Sequence, residues 1–316
     1  MLIKIDELNN ELVNWYKNST VKGINVVTVP YRGLDLLHPV LSYFKDGGRL
    51  LYITGEKKGL DQLSNLFKDF SNVPEIVDFN GALEVSNEYD LIIYDDVNSY
   101  PAHTKTEMHT LLTYLYKKTN KIIAYSIERV FKNVINLEHP VKADGLFIPE
   151  PRFLESRIDI KDSIPNSLYS YLEFFIGGKR KVIIVTSDTE TKDGMIRYLL
   201  RINTQYAPFI IDADSVDEEE ISEKGNDKEK PALIFTLNTG DFAGIKGNLE
   251  FVYINADLPK YEYRQFVFSA LRSCSFGQPS GEVLMVAGSN TQNMEKAKEL
   301  TREYNITHWE NDDIFI

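Results

Sequence analysis

The sequence predicts an α/β chain of two tandem doubly wound parallel-sheet domains, residues 1–150 and 151–316. Three observations predict it. Short apolar runs alternate with segments of helical periodicity, as in a parallel sheet covered by helices. Ile148-Pro149-Glu150-Pro151 puts two prolines in three residues, which stops regular structure and stiffens a connector. After it the same alternation starts again.

In the first half a leading helix near 5–17 precedes strands at 24–29, 49–54, 75–79, 90–94, 121–125 and 145–148. Helices are predicted at 34–45, 59–70 and 104–118. The last carries Met108, Leu111, Leu112 and Leu115 at i, i+3, i+4, i+7, one apolar stripe. In the second half, helix 167–177 stops at Gly177-Gly178 and strand 181–186 follows. Then come helix 192–201, strands 209–211, 232–236 and 250–254, helix 261–274, strand 282–287 and helix 291–304. The acidic stretch 212–230 lacks apolar periodicity and is predicted to be a solvated loop or a disordered insert.

Composition narrows the classes. Lys and Arg total 35 against 47 Asp and Glu, a net charge of −12, which argues against generic charge-driven binding to nucleic acid. Residues 212–229 hold nine acids and two lysines, so the remainder of the second half is almost neutral and a local basic groove stays open. Lys57-Lys58 and Lys179-Arg180 are the basic candidates for a phosphate backbone; the bland reading of each is a solvated face. A single cysteine, Cys274, excludes a disulfide framework and a cysteine-rich zinc site. The five histidines show no metal spacing. No apolar run approaches the roughly 20 residues of a membrane span, and the early charges of Lys4 and Asp6 do not read as a signal peptide. A cytoplasmic location is expected.

Two segments carry chemistry. Strand Tyr89–Tyr94 ends in Asp95-Asp96-Val97-Asn98, paired carboxylates at a strand's carboxyl end, where α/β sheets bind ligands. Strand Ile24–Val29 runs into Pro30-Tyr31-Arg32-Gly33-Leu34-Asp35-Leu36, where a phosphate loop would stand. That loop needs glycine amides, a lysine and a magnesium-binding hydroxyl, and no Gly-Lys-Ser/Thr is present.

In order and spacing the chain resembles the superfamily 2 helicase core, two RecA-like domains, and most of all the ComFA-type late-competence DNA-uptake ATPases. Asp46–Thr54 is similar to the strand after that family's phosphate-loop helix. Asp90–Pro101 is similar to its "D-L-L-I-I-D-E-V-D-A-F-P", Phe147–Phe153 to its interlobe "L-P-A-R-F-H", and Pro279–Val283 to its "P-S-G-E-V". The resemblance implies a nucleic-acid motor with ATP and magnesium. It also locates the departures. Asp35 falls at the lysine and Leu36 at the magnesium-binding Ser/Thr. At an effective dielectric near 20, two unit charges about 4 Å apart interact by roughly 4 kcal/mol, so reversing the sign there works strongly against phosphate.

In the last motif Arg272 survives, as a vestige, while Ser275 replaces the second arginine, a group worth about 10³–10⁵ in rate. Ser126-Ile127-Glu128 stands for the lobe-coupling "S/T-A-T". The expectation is a pseudo-helicase with Asp95, Asp96 and Arg272 as vestigial catalytic residues. It is expected to hold no metal, and ATP and magnesium bind only if the altered loop still accepts them. Expected partners are single-stranded DNA and competence or DNA-processing proteins. Two alternatives stay open: a protein-interaction module without a nucleic-acid role, and a weak ATPase with an altered loop.

Overall fold

A computed structural model describes residues 5–45, 47–55, 67–68, 70–101, 103–141, 147–161, 163–240, 242–274 and 281–310. The chain forms two compact units, Met1–Gly145 with Ile306–Ile316, and Leu146–Asn305. Each holds a six-stranded, all-parallel sheet.

In the first unit the strands are β1 (Gly23–Thr28), β2 (Leu50–Thr54), β3 (Glu75–Asp78), β4 (Tyr89–Asp95), β5 (Thr119–Ser126) and β6 (Ile135–His139), in spatial order β3-β2-β4-β5-β1-β6. The four central strands are buried on both faces, as parallel sheets require, and they are the continuous apolar runs of the sequence. One face packs Ile24, Val26, Leu91, Ile93 and Ile123 against Leu8, Leu12 and Trp15 of α1 (Ile5–Asn18) and Val40 and Leu41 of α2 (His38–Ser42). The other packs Leu51, Ile53, Ile92 and Ile122 against α3 (Phe79–Glu84) and the Met108–Leu115 stripe of α4 (Lys105–Leu115). Thr104 and Glu107 close a capping box on α4.

The second unit holds β7 (Arg152–Glu155), β8 (Lys181–Val185), β9 (Ile210–Asp212), β10 (Ala232–Thr236), β11 (Glu250–Ile254) and β12 (Val283–Ala287), in order β7-β12-β11-β8-β10-β9. Its helices, among the described residues, are α5 (Asn166–Gly177), α6 (Thr189–Ile202), α7 (Glu218–Asn226), α8 (Tyr263–Ser273) and the part up to Asn305 of α9 (Gln292–Glu310), whose residues from Ile306 on belong to the first unit. Leu168, Leu172 and Phe175 of α5 and Met195 and Leu199 of α6 cover one sheet face, and α8 is buried almost throughout.

Several elements differ from expectation. The sixth strand of the first sheet is Ile135–His139; of the predicted 145–148, residues 147 and 148 are not a strand and the others lie outside the described residues. Polar side chains hold β6: Asn25 Nδ2 donates to Asn136 Oδ1 at 2.7 Å, and Thr28 Oγ1 to the His139 carbonyl at 2.9 Å. Predicted helix 34–45 shrinks to His38–Ser42, because Gly33 (φ 81°) turns the chain and Leu34–Leu37 form a hydrogen-bonded turn. Predicted helix 59–70 lies almost wholly outside the described residues.

The acidic stretch 212–230 is not a loop. Residues 218–226 are helical. Asp217 caps them, accepting from Glu220 N at 2.8 Å, and Glu218, Glu219 and Glu220 occupy the first turn, where carboxylates favour the helix dipole. Lys224 pairs with Glu220 one turn back, at 2.6 Å. Asp212 and Asp214 hold the buried Lys192 ammonium at 2.6 and 2.8 Å. Burial works against that charge, but the two carboxylates outweigh it and raise the lysine's pKa.

Candidate nucleotide site

Both segments singled out in the sequence lie at the carboxyl edge of the first sheet, with β5 between the strands that carry them. The loop leaves β1 with Tyr31 at φ 57° and Gly33 at φ 81°, left-handed backbone on either side of Arg32. The turn after β4 reaches over to it. Tyr31 N donates to the Val97 carbonyl at 2.8 Å. Gly33 N donates to Asn98 Oδ1 at 2.7 Å, and Asn98 Nδ2 returns a bond to the Gly33 carbonyl at 3.2 Å. Tyr125 Oη donates to that same carbonyl at 2.9 Å. An amide that could face a phosphate is thereby committed to an asparagine side chain.

Asp95 is equally committed. It is 1% exposed and accepts four hydrogen bonds. Oδ1 receives Val97 N at 2.9 Å and Asn98 N at 3.0 Å, while Oδ2 receives Asn98 Nδ2 at 2.8 Å and the Tyr52 hydroxyl. Burial pushes the Asp95 carboxyl above the usual carboxylate range, with the bonds from Tyr52, Asn98 and Val97 pulling the other way. Burial, then the Asp95 charge, pushes the Tyr52 phenol well up, and the Tyr125 phenol likewise. Asp96 is 7% exposed; its amide donates to the Tyr125 carbonyl at 2.8 Å and its Oδ1 accepts from Tyr94 Oη at 3.5 Å.

Asp35, at the position expected for a lysine, pairs with Arg32 at 2.9 Å. The loop's cation and its anion therefore neutralise each other. Glu128 is likewise held by Lys105 at 2.6 Å, which ties the end of β5 to α4. A triphosphate with magnesium does not fit these residues: the Asp95 oxygens are filled, the Gly33 amide is taken, and a carboxylate stands where a cation is needed. Among the described residues no group of three or more His, Cys, Asp or Glu is placed to hold a metal.

Arg272 is buried and serves backbone. Its Nη1 donates to the Gly247 carbonyl at 2.7 Å, and its Nη2 donates to the Ile245 carbonyl and, at 3.5 Å, to that of Phe242. Loop 242–247 includes left-handed Phe242 (φ 50°) and Gly247 (φ 95°), so the guanidinium serves as its internal brace.

The basic candidates fare differently. Lys57 and Lys58 lie outside the described residues. Lys179 and Arg180 precede β8, at the amino edge of the second sheet, opposite the edge where parallel sheets bind ligands. Lys179 pairs with Glu229 at 2.7 Å, and Arg180 with the nearly buried Glu250 at 2.5 Å while stacking over Phe174. Neither is a free cation. Arg180→Ala is expected to lower the unfolding midpoint and leave single-strand affinity unchanged. A phosphate contact would instead flatten the plot of log K against log salt by about 0.7 per lost contact, which a salt titration of oligonucleotide binding reads directly.

Sequence reasoning missed Tyr52, Asn98 and Tyr125, the groups that fill the site. The readable signal was Asn98, three residues after Asp95, the spacing of a side-chain-closed turn.

No family model matches the sequence, and no curated protein matches it. Solved structures do. Dbp5 of S. cerevisiae bound to RNA and ADP BeF3 shares 10% identity at a TM-score of 0.52, covering 94% of this chain and 86% of that one. The Escherichia coli DEAH/RHA helicase HrpB shares 10% identity at a TM-score of 0.55, covering 92% of this chain and 43% of that one. At such identity the likeness is one of fold. The chain has the fold of two RecA-like domains, each built on a six-stranded parallel sheet, as in these helicase structures.

Proposed function

We propose that this chain is a cytoplasmic helicase-like protein, related to the competence DNA-uptake ATPases, that has lost efficient ATP hydrolysis and serves as a nucleic-acid-binding or scaffolding body. The observation that carries this reading is the saturation of Asp95 by four protein donors, with Asn98 bridging to the loop where a phosphate would lie. A working site leaves its carboxylate for water or metal; here tyrosine and asparagine have replaced both. The Arg32–Asp35 pair supports the same reading, since it neutralises the loop from within. The expected ligand is a single strand, DNA or RNA, and the RNA-bound state of the Dbp5 neighbour supports that class. Competence or DNA-processing proteins are the expected partners.

A second reading, a protein-interaction module without nucleic acid, rests on the acid-rich helix Glu218–Asn226. One preparation titrated calorimetrically with ATP·Mg and with a short single-stranded oligonucleotide separates the readings. The expected outcome is no nucleotide binding in the millimolar range, no strand-stimulated hydrolysis, and salt-dependent oligonucleotide binding. Turnover that disappears in Asp96→Ala would overturn the proposal in favour of a weak ATPase. Absence of oligonucleotide binding would favour the interaction module.

A further inference from the structure

We propose that Arg32 is the centre of a small-oxyanion site that the chain keeps closed with its own carboxylate, Asp35. The Arg32 side chain is 6% exposed, its Nη2 lies 2.9 Å from Asp35 Oδ2, and its Nε is buried without a hydrogen-bond partner. An arginine presents a planar fork of donors that matches two oxygens of one anion. Here one prong is occupied and another is idle, so the pairing is incomplete. A cation taken out of water and left half-satisfied is costly, and a tetrahedral or planar oxyanion spanning both donors completes it.

Asp35 is placed as a removable cover. Its side chain is 47% exposed, whereas its partner is buried, so the carboxylate stands on the solvent side of the guanidinium. Tyr31 and Gly33, both left-handed, flank Arg32 in sequence, and the Gly33 carbonyl is anchored by Tyr125 and Asn98. The arginine therefore projects from a fixed backbone, and replacing Asp35 removes the competing anion without loosening that anchor.

The inference rests on the reading of this loop as filled by the chain's own groups, yet the two fail separately. Tight ATP·Mg binding by the unaltered chain sinks that reading, whereas the masked site is judged on variants and without nucleotide or metal. The probe is inorganic pyrophosphate at constant ionic strength, followed by calorimetry and by the thermal unfolding midpoint. Asp35→Ser, which removes both charge and bulk, is expected to bind it about tenfold or more tighter than the unaltered chain. Arg32→Gln added to Asp35→Ser is expected to return the affinity to that of the unaltered chain. Cooperative unfolding by circular dichroism establishes that each variant is folded; if the serine variant is not, Asp35→Asn, which keeps an oxygen for the guanidinium, carries the same comparison. Equal affinity in the folded Asp35 variant and the unaltered chain overturns the proposal, as does a gain that survives Arg32→Gln.

Discussion

Arg272→Ala is expected to cost the fold roughly 3–5 kcal/mol, the sum of lost charge-assisted bonds to buried carbonyls and the cavity left by the side chain. The guanidinium spans the Gly247 and Ile245 carbonyls and approaches that of Phe242. No single neutral side chain reaches all three, so the loop from 242 to 247 loses its brace at once. Arg272→Lys should recover part of the loss, because an ammonium is a point donor and lacks the planar fork. Urea unfolding followed by far-UV circular dichroism measures both. The opposite pattern, full stability with altered nucleotide or nucleic-acid binding, would assign Arg272 to a ligand rather than to the loop. The same arginine thus looks like a motif remnant in the sequence and like a structural clamp in the fold.

That double reading marks where the sequence was legible. Strands β1, β2, β4, β5, β8, β10, β11 and β12 are continuous apolar runs because both faces of a parallel sheet are covered, and they are found where predicted. The edge strands β6 and β7 were missed for the complementary reason. Ile135 and Asn136 are exposed, as are Arg152 and Glu155, so neither segment shows the apolar signature; β6 is held by side-chain bonds from Asn25 and Thr28. Helix α7 was missed because caps and charge order hold it, with Gly225 packed closely against Ile245, and none of these leaves an apolar stripe. At the candidate site, local reading singled out the acidic pair and the loop after β1. It could not find what fills them, since Tyr52 lies 43 residues from Asp95 and Tyr125 lies 92 from Gly33. Such pairings come from strand order, which one sequence does not print.

Asp95→Ala is expected to destabilise the chain by about 4 kcal/mol, since four donors lose their acceptor in a site closed to water and each buried unsatisfied group costs roughly 1–3 kcal/mol. Asp95→Asn keeps one oxygen and turns the other into a donor facing donors, so a smaller loss of about 2 kcal/mol is expected. The pH dependence gives the comparison its sign. Burial raises the folded-state pKa of Asp95 above its unfolded value, so the folded chain holds this proton to higher pH than the unfolded chain does. The resulting stability is fully present below the unfolded carboxylate value, about 4, and is lost as pH rises through the folded value. The advantage of the unaltered chain over Asp95→Asn should therefore be largest in acid and narrow on the way to neutrality. Taking the difference cancels carboxylates such as Asp188 and Asp212, whose pKa values are lowered and whose stability runs the opposite way. A pH-independent difference would mean that folding leaves the Asp95 pKa unshifted, and a negligible one that water already reaches it. The second result would restore it as a group open to metal, and with that the case for a working hydrolase.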